Sequence, residues 1–169
     1  MKAIGIGAII SAFFFFARIL IRRKKAEIDC LAELGRGMEL MRAELGTRLT
    51  PMPELMRLLS DRCGGAAGSF FSAVYSAMPL LEERDFSGLW NAAAESCLNV
   101  LDKRALDTVK KAGTVLGRYE LAEQLSAVGS CAAELKTREE KLRAAYPESR
   151  RLMFGLCAAA GSFLILLLL

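Results

Sequence analysis

"LAEQLSAVGSCAAELKTREEKLRAAY", from Leu121 to Tyr146, sets Leu121, Leu125, Val128, Ala132, Leu135, Glu139, Leu142 and Tyr146 at alternating four- and three-residue steps. At 3.6 residues per turn this spacing puts all of them on one helical face, a heptad-like stripe that packs against other helices at shallow crossing angles. Glu139 is the polar member of the stripe and marks the point where the helix is expected to leave its neighbours. A strand would need period two, and no stretch of the chain offers it convincingly. The expected fold class is therefore all-α.

Upstream of this helix the same reading repeats. A helix is predicted from about Lys103 to Leu116, with Leu106, Val109, Ala112 and Leu116 as its stripe. Glycine inside a helix costs about 1 kcal/mol relative to alanine, so Gly117 is expected in a left-handed turn between the fifth helix and the long one. Ser87 is the expected N-cap of a helix carrying Leu89, Trp90, Ala93, Cys97 and Val100, with Trp90 in the core. Phe70, Phe71, Val74 and Tyr75 open another helix, which Pro79 should kink or end; "CGGAAG" before it reads as a loop. "LTPMPELMRLL" is a helix start, with Thr50 as N-cap and Pro51 at the first helical position, where no N–H is missed. Leu55, Leu58 and Leu59 face inward, and Ile28, Leu31, Leu34, Met38, Met41 and Leu45 form the first stripe, expected to end at Gly46. The expectation is an antiparallel bundle of about six helices.

The two ends of the chain differ from its middle. Ala3–Ala17 and Leu152–Leu169 carry no charge. As a helix, residues 3–21 would be about 28 Å long at roughly 1.5 Å per residue, close to the ~30 Å hydrocarbon core. We expect transmembrane helices at 3–21 and 152–169, flanking a bundle at 22–151. In "FFFFARILIRRKK" the cations follow the apolar run, and no small-x-small cleavage site precedes Arg18, so an anchor is expected and not a secretory signal. Arg22–Lys25 after the first span and Arg150–Arg151 before the second both place the middle of the chain in the cytoplasm and both termini outside it. In the second span, Gly155 and Ala159 have the small-xxx-small spacing of a helix–helix contact, although small residues are common in spans regardless.

The net charge of +4 divides unevenly. Eight cations lie outside Ala26–Ser149, and inside it fifteen Lys and Arg meet nineteen Asp and Glu, a net of −4. The basic flanks suit anionic lipid, and the acidic middle counts against nucleic acid. The five cysteines are widely spaced and never form C-x-x-C, so they read as small buried hydrophobes. There is no histidine, which removes the commonest general base and metal ligand. No phosphate-binding G-x-x-x-x-G-K-[ST] is present either. No catalytic, cofactor or metal residues are assigned, no cofactor is expected, and an enzyme is disfavoured.

The order of these features resembles the stage III sporulation protein AB family over nearly the whole chain. "TPMPELMRLL" is similar to that family's Thr-Pro-Leu and amphipathic helix, "SGLWNAAAESC" to its helix opening with tryptophan, and "LGRYELAEQ" (Leu116–Gln124) to its Leu-Gly, acidic residue and Gln. The family usually has Asp where Glu120 aligns, and a second glycine in the last span near the position of Gly155. The resemblance implies a fold like the cytoplasmic F domain of the type II secretion platform protein. It also implies a place in the sporulation channel between mother cell and forespore, in the mother-cell membrane. The implied partners are the ATPase stage III sporulation protein AA and other membrane components, with a homo-oligomer possible. Thr50, Pro51, Trp90, Leu116, Gly117, Glu120, Gln124 and Gly155 are the structural and interaction candidates, and the charges of Arg118, Glu120 and Glu123 are either part of a docking surface or simply solvated. The alternatives are a generic membrane-tethered adaptor, for example in cell division, a small pore subunit, or a membrane-bound enzyme.

Overall fold

The structure is a computed structural model describing residues 2–48, 50–82 and 85–168, with side chains for 15–48, 50–81, 85–148, 151–152, 155, 159 and 162. Among the described residues six α-helices follow one another: α1 (Lys2–Thr47), α2 (Met52–Arg62), α3 (Gly65–Ala77), α4 (Phe86–Cys97), α5 (Lys103–Val115) and α6 (Leu121–Leu168). A short 3-10 helix, Met78–Glu82, joins α3 to α4, so Pro79 ends α3 as its missing N–H requires. No strand occurs among the described residues. The chain forms two units, Glu27–Glu140 and the pair Met1–Ala26 with Lys141–Leu169. The stripe of α6 turns polar at Glu139, and the bundle unit ends one residue later.

In the bundle unit, Ile28, Leu31, Leu34, Met38, Met41 and Leu45 of α1 are all buried, as are Val128, Ala132 and Leu135 of α6. A Cβ at Gly46 would lie 3.6 Å from Leu125 Cδ2, and one at Gly129 would lie 3.2 Å from the Arg42 guanidinium. Four residues forward along α6 thus match four residues back along α1, so the two helices run antiparallel. The remaining helices close around an aromatic centre. Trp90 is fully buried and stands edge-on to Phe70, with ring centroids 4.7 Å apart, while Phe71 lies at 6.4 Å. Two glycines make room for it: a Cβ at Gly113 would sit 2.1 Å from Trp90 Cδ1, and one at Gly37 would sit 2.7 Å from Phe71 Cε2. The indole N–H donates to the Val109 carbonyl at 2.8 Å, so the one polar atom of the ring is satisfied.

Several expected element starts differ. Thr50 does not cap α2: the N-cap is Pro51, with Pro53 inside the first turn, and the Thr50 hydroxyl donates instead to Glu44 Oε2 at 3.1 Å. Pro51 therefore stands one position before the helix, where its fixed φ still suits the entry. Ser87 is not the cap of α4; Asp85 is, and its carboxylate faces Arg118 at 3.5 Å in place of the helix N–H groups. "CGGAAG" is mostly helix, because Ala67 and Gly68 are small enough for α3 to approach the Cys63 carbonyl, 2.3 Å from where a Gly68 Cβ would be. Pro147 lies inside α6 and does not end it.

The smaller unit buries Ala17 and exposes Phe15 by 67% and Phe16 by 60%. Among the described residues no helix is long and apolar enough to cross a membrane. The spans expected at 3–21 and 152–169 fall largely on residues whose side chains lie outside the described ones.

Candidate functional site

The site is built around the turn between α5 and α6. Leu116 leaves the helix with φ −62° and ψ 130°, and its side chain is fully buried, which pins the turn to the core. Gly117 follows at φ +76°, a left-handed conformation that only glycine adopts freely, as its sequence position predicts. The Arg118 N–H reaches back to the Val115 carbonyl at 3.4 Å. The Glu120 carbonyl then accepts from the N–H groups of Glu123 at 3.0 Å and Gln124 at 3.1 Å, starting α6. Gln124 closes the loop, its side-chain amide donating to the Tyr119 carbonyl at 2.7 Å.

What this turn presents outward is mixed. Tyr119 is 55% exposed, and Arg118, Glu120, Leu121 and Glu123 are exposed beside it. Arg118 pairs with Asp85 at the start of α4, an exposed contact worth at most ~1 kcal/mol that orients the turn more than it holds the fold. Thr50 and Pro51 belong to the same end of the bundle, since Glu44 and Gly46 of α1 lie beside them and Gly46 faces Leu125 of α6. Trp90 is core, as its stripe position predicts. Gly155 is exposed in the smaller unit and has no part in the turn.

Asp102 escapes a reading of the sequence. It caps α5 by accepting from the Ala105 N–H at 3.1 Å, and its other oxygen pairs with Arg138 of α6. The signal was there, an Asp directly before "KRALDTV", but Arg138 is too distant in sequence for spacing to reveal. At the same end the Glu33 carboxylate accepts from the Gly64 N–H at 3.1 Å. Burial pushes the thiols of Cys30 and Cys131 up from 9.0 to about 12, with Glu27 and Glu134 adding to the effect. Among the described residues no three His, Cys, Asp or Glu side chains are grouped to hold a metal ion. The exposed turn offers a mixed surface, Tyr119 and Leu121 beside charged side chains.

No curated protein matches the chain. A solved structure of a stage III sporulation protein AB has a similar fold, with a TM-score of 0.65 at 15% identity, over 72% of this chain and 97% of that one. The family model for stage III sporulation protein AB matches residues 2–169. With the match running from the second residue to the last, the chain belongs to the stage III sporulation protein AB family.

Proposed function

We propose that this sporulation protein is a non-enzymatic, membrane-anchored structural component of a channel or secretion-like complex between mother cell and forespore. Its two terminal segments anchor it in the mother-cell membrane, with both termini outside the cytoplasm, and its bundle is the cytoplasmic platform for the ATPase stage III sporulation protein AA. The observation that carries the reading is the family match over residues 2–169, joined to an all-helical bundle with an exposed turn between α5 and α6. The uncharged terminal runs, each edged by cations, support the anchors. The outward face of the α5–α6 turn supports docking.

A photoreactive amino acid at Tyr119, in sporulating cells whose membranes are then washed with alkaline carbonate, tests both halves. The full chain should remain in the washed membrane and carry a crosslink to the ATPase. A chain released by the wash would end the anchor, and a retained chain that never crosslinks to the ATPase would end the platform.

A further inference from the structure

The division of the chain into two units separates its charge. Met1–Ala26 and Lys141–Leu169 together hold ten Lys and Arg against one acidic residue, Glu148, a net of +9. The bundle, Glu27–Glu140, holds thirteen against eighteen, a net of −5. Within the smaller unit the cations are not scattered. Arg22, Arg23, Lys24 and Lys25 are consecutive and all exposed, immediately after an exposed apolar surface at Phe15, Phe16, Ile19 and Leu20. On the α6 side, Arg150 and Arg151 immediately precede Leu152, which is 60% exposed. Two segments from opposite ends of the chain, both in the smaller unit, thus carry exposed cations, Arg22–Lys25 and Arg151, beside exposed apolar side chains.

We propose that this basic collar is a binding site for anionic phospholipid headgroups. The phosphates sit against Arg22–Lys25 and Arg151, and the acyl chains lie along the apolar surface beside them. The inference rests on the membrane-anchored reading and deepens it, because an anchor alone needs only hydrocarbon. Arginine matches phosphate with a planar fork of donors, and lysine adds point charge, so the mixed set favours a diffuse anionic surface over one stereospecific ligand. The acidic bundle has the opposite sign and is repelled by the same lipid, which confines the attraction to the collar.

The test uses the full chain, diluted from detergent into vesicles of phosphatidylcholine alone or of an equal mixture with phosphatidylglycerol, and scored by flotation. Each cation near an anionic surface contributes roughly a five-fold change in partitioning, so the mixed vesicles should bind at least roughly ten-fold better at low salt. High salt should erase the difference. The variant Arg22→Gln/Arg23→Gln/Lys24→Gln/Lys25→Gln should lose the preference while still floating with both vesicles, and Arg150→Gln/Arg151→Gln should weaken it. Glycerol phosphate at matched phosphate concentration should not compete, since it lacks the acyl chains. Equal binding to both vesicles overturns the lipid inference and leaves the anchor standing. Competition by glycerol phosphate overturns it in favour of a free phosphate ligand. Failure to float with either vesicle overturns both the inference and the anchor.

Discussion

At the scale of single residues, glycine does three different jobs, and the differences are measurable. Gly117 is needed for its backbone: at φ +76° a β-branched side chain is strained by about 1–3 kcal/mol. Gly117→Val should therefore lower the melting temperature of the full chain, with Gly117→Asn losing much less, and an unchanged melt for the valine variant would contradict the turn. Gly113 is needed for its missing Cβ. Alanine there gains about 1 kcal/mol of helix propensity, but a methyl 2.1 Å from the Trp90 ring costs about 1–3 kcal/mol in a centre with no slack, so Gly113→Ala destabilises. Gly129 is needed for neither. Its added methyl meets only the movable guanidinium of Arg42, the propensity gain wins, and Gly129→Ala should stabilise by up to about 1 kcal/mol in the same melts. Cysteines set a pH dependence. Cys30 and Cys131 have thiols raised from 9.0 to about 12 by burial, so unfolding releases their protons above pH 9. Their stabilisation is whole below pH 9 and lost as the pH rises towards 12, and the pair Cys30→Ala/Cys131→Ala should flatten that part of the stability curve.

At the scale of elements, helices were legible wherever a stripe was long and their starts were not. The α1 and α6 stripes are buried as their spacing requires, and the polar break at Glu139 coincides with the end of the bundle unit. Thr50 fails as a cap because Glu44 takes its hydroxyl, and Asp85, at the N-cap position of α4 in place of Ser87, turns its carboxylate to Arg118. Neither partner lies at a spacing that a helix periodicity exposes. The α2–α3 connection was misread because glycine and alanine serve close packing as well as loops. Asp102, the cap with a side-chain bond, also ties α5 to Arg138 of α6. Asp102→Ala should destabilise by about 1–2 kcal/mol, roughly 1 from the cap and the rest from the ion pair. Asp102→Asn keeps the cap and should lose only the second part; equal losses in denaturant titrations of the two variants would show that the cap contributes nothing.

At the scale of the whole molecule, sequence and structure divide the work. The all-α bundle and the α5–α6 turn with Leu116, Gly117, Glu120 and Gln124 were readable from residue spacing and from family resemblance. That Thr50 and Pro51 stand at the same end of the bundle was not, because helix pairing depends on which side chains leave room, as at Gly46 and Gly129. Under the proposed function, the bundle is a docking platform whose α5–α6 turn meets the ATPase. Its most direct test is the binding isotherm of stage III sporulation protein AA for the full chain held in lipid nanodiscs, with and without nucleotide, for the natural chain and for Glu120→Lys/Glu123→Lys. The account predicts saturable binding that the charge reversal weakens at least roughly ten-fold, the scale expected when like charges replace complementary ones at a contact. No binding by the natural chain, or an identical isotherm for the reversed one, would contradict it.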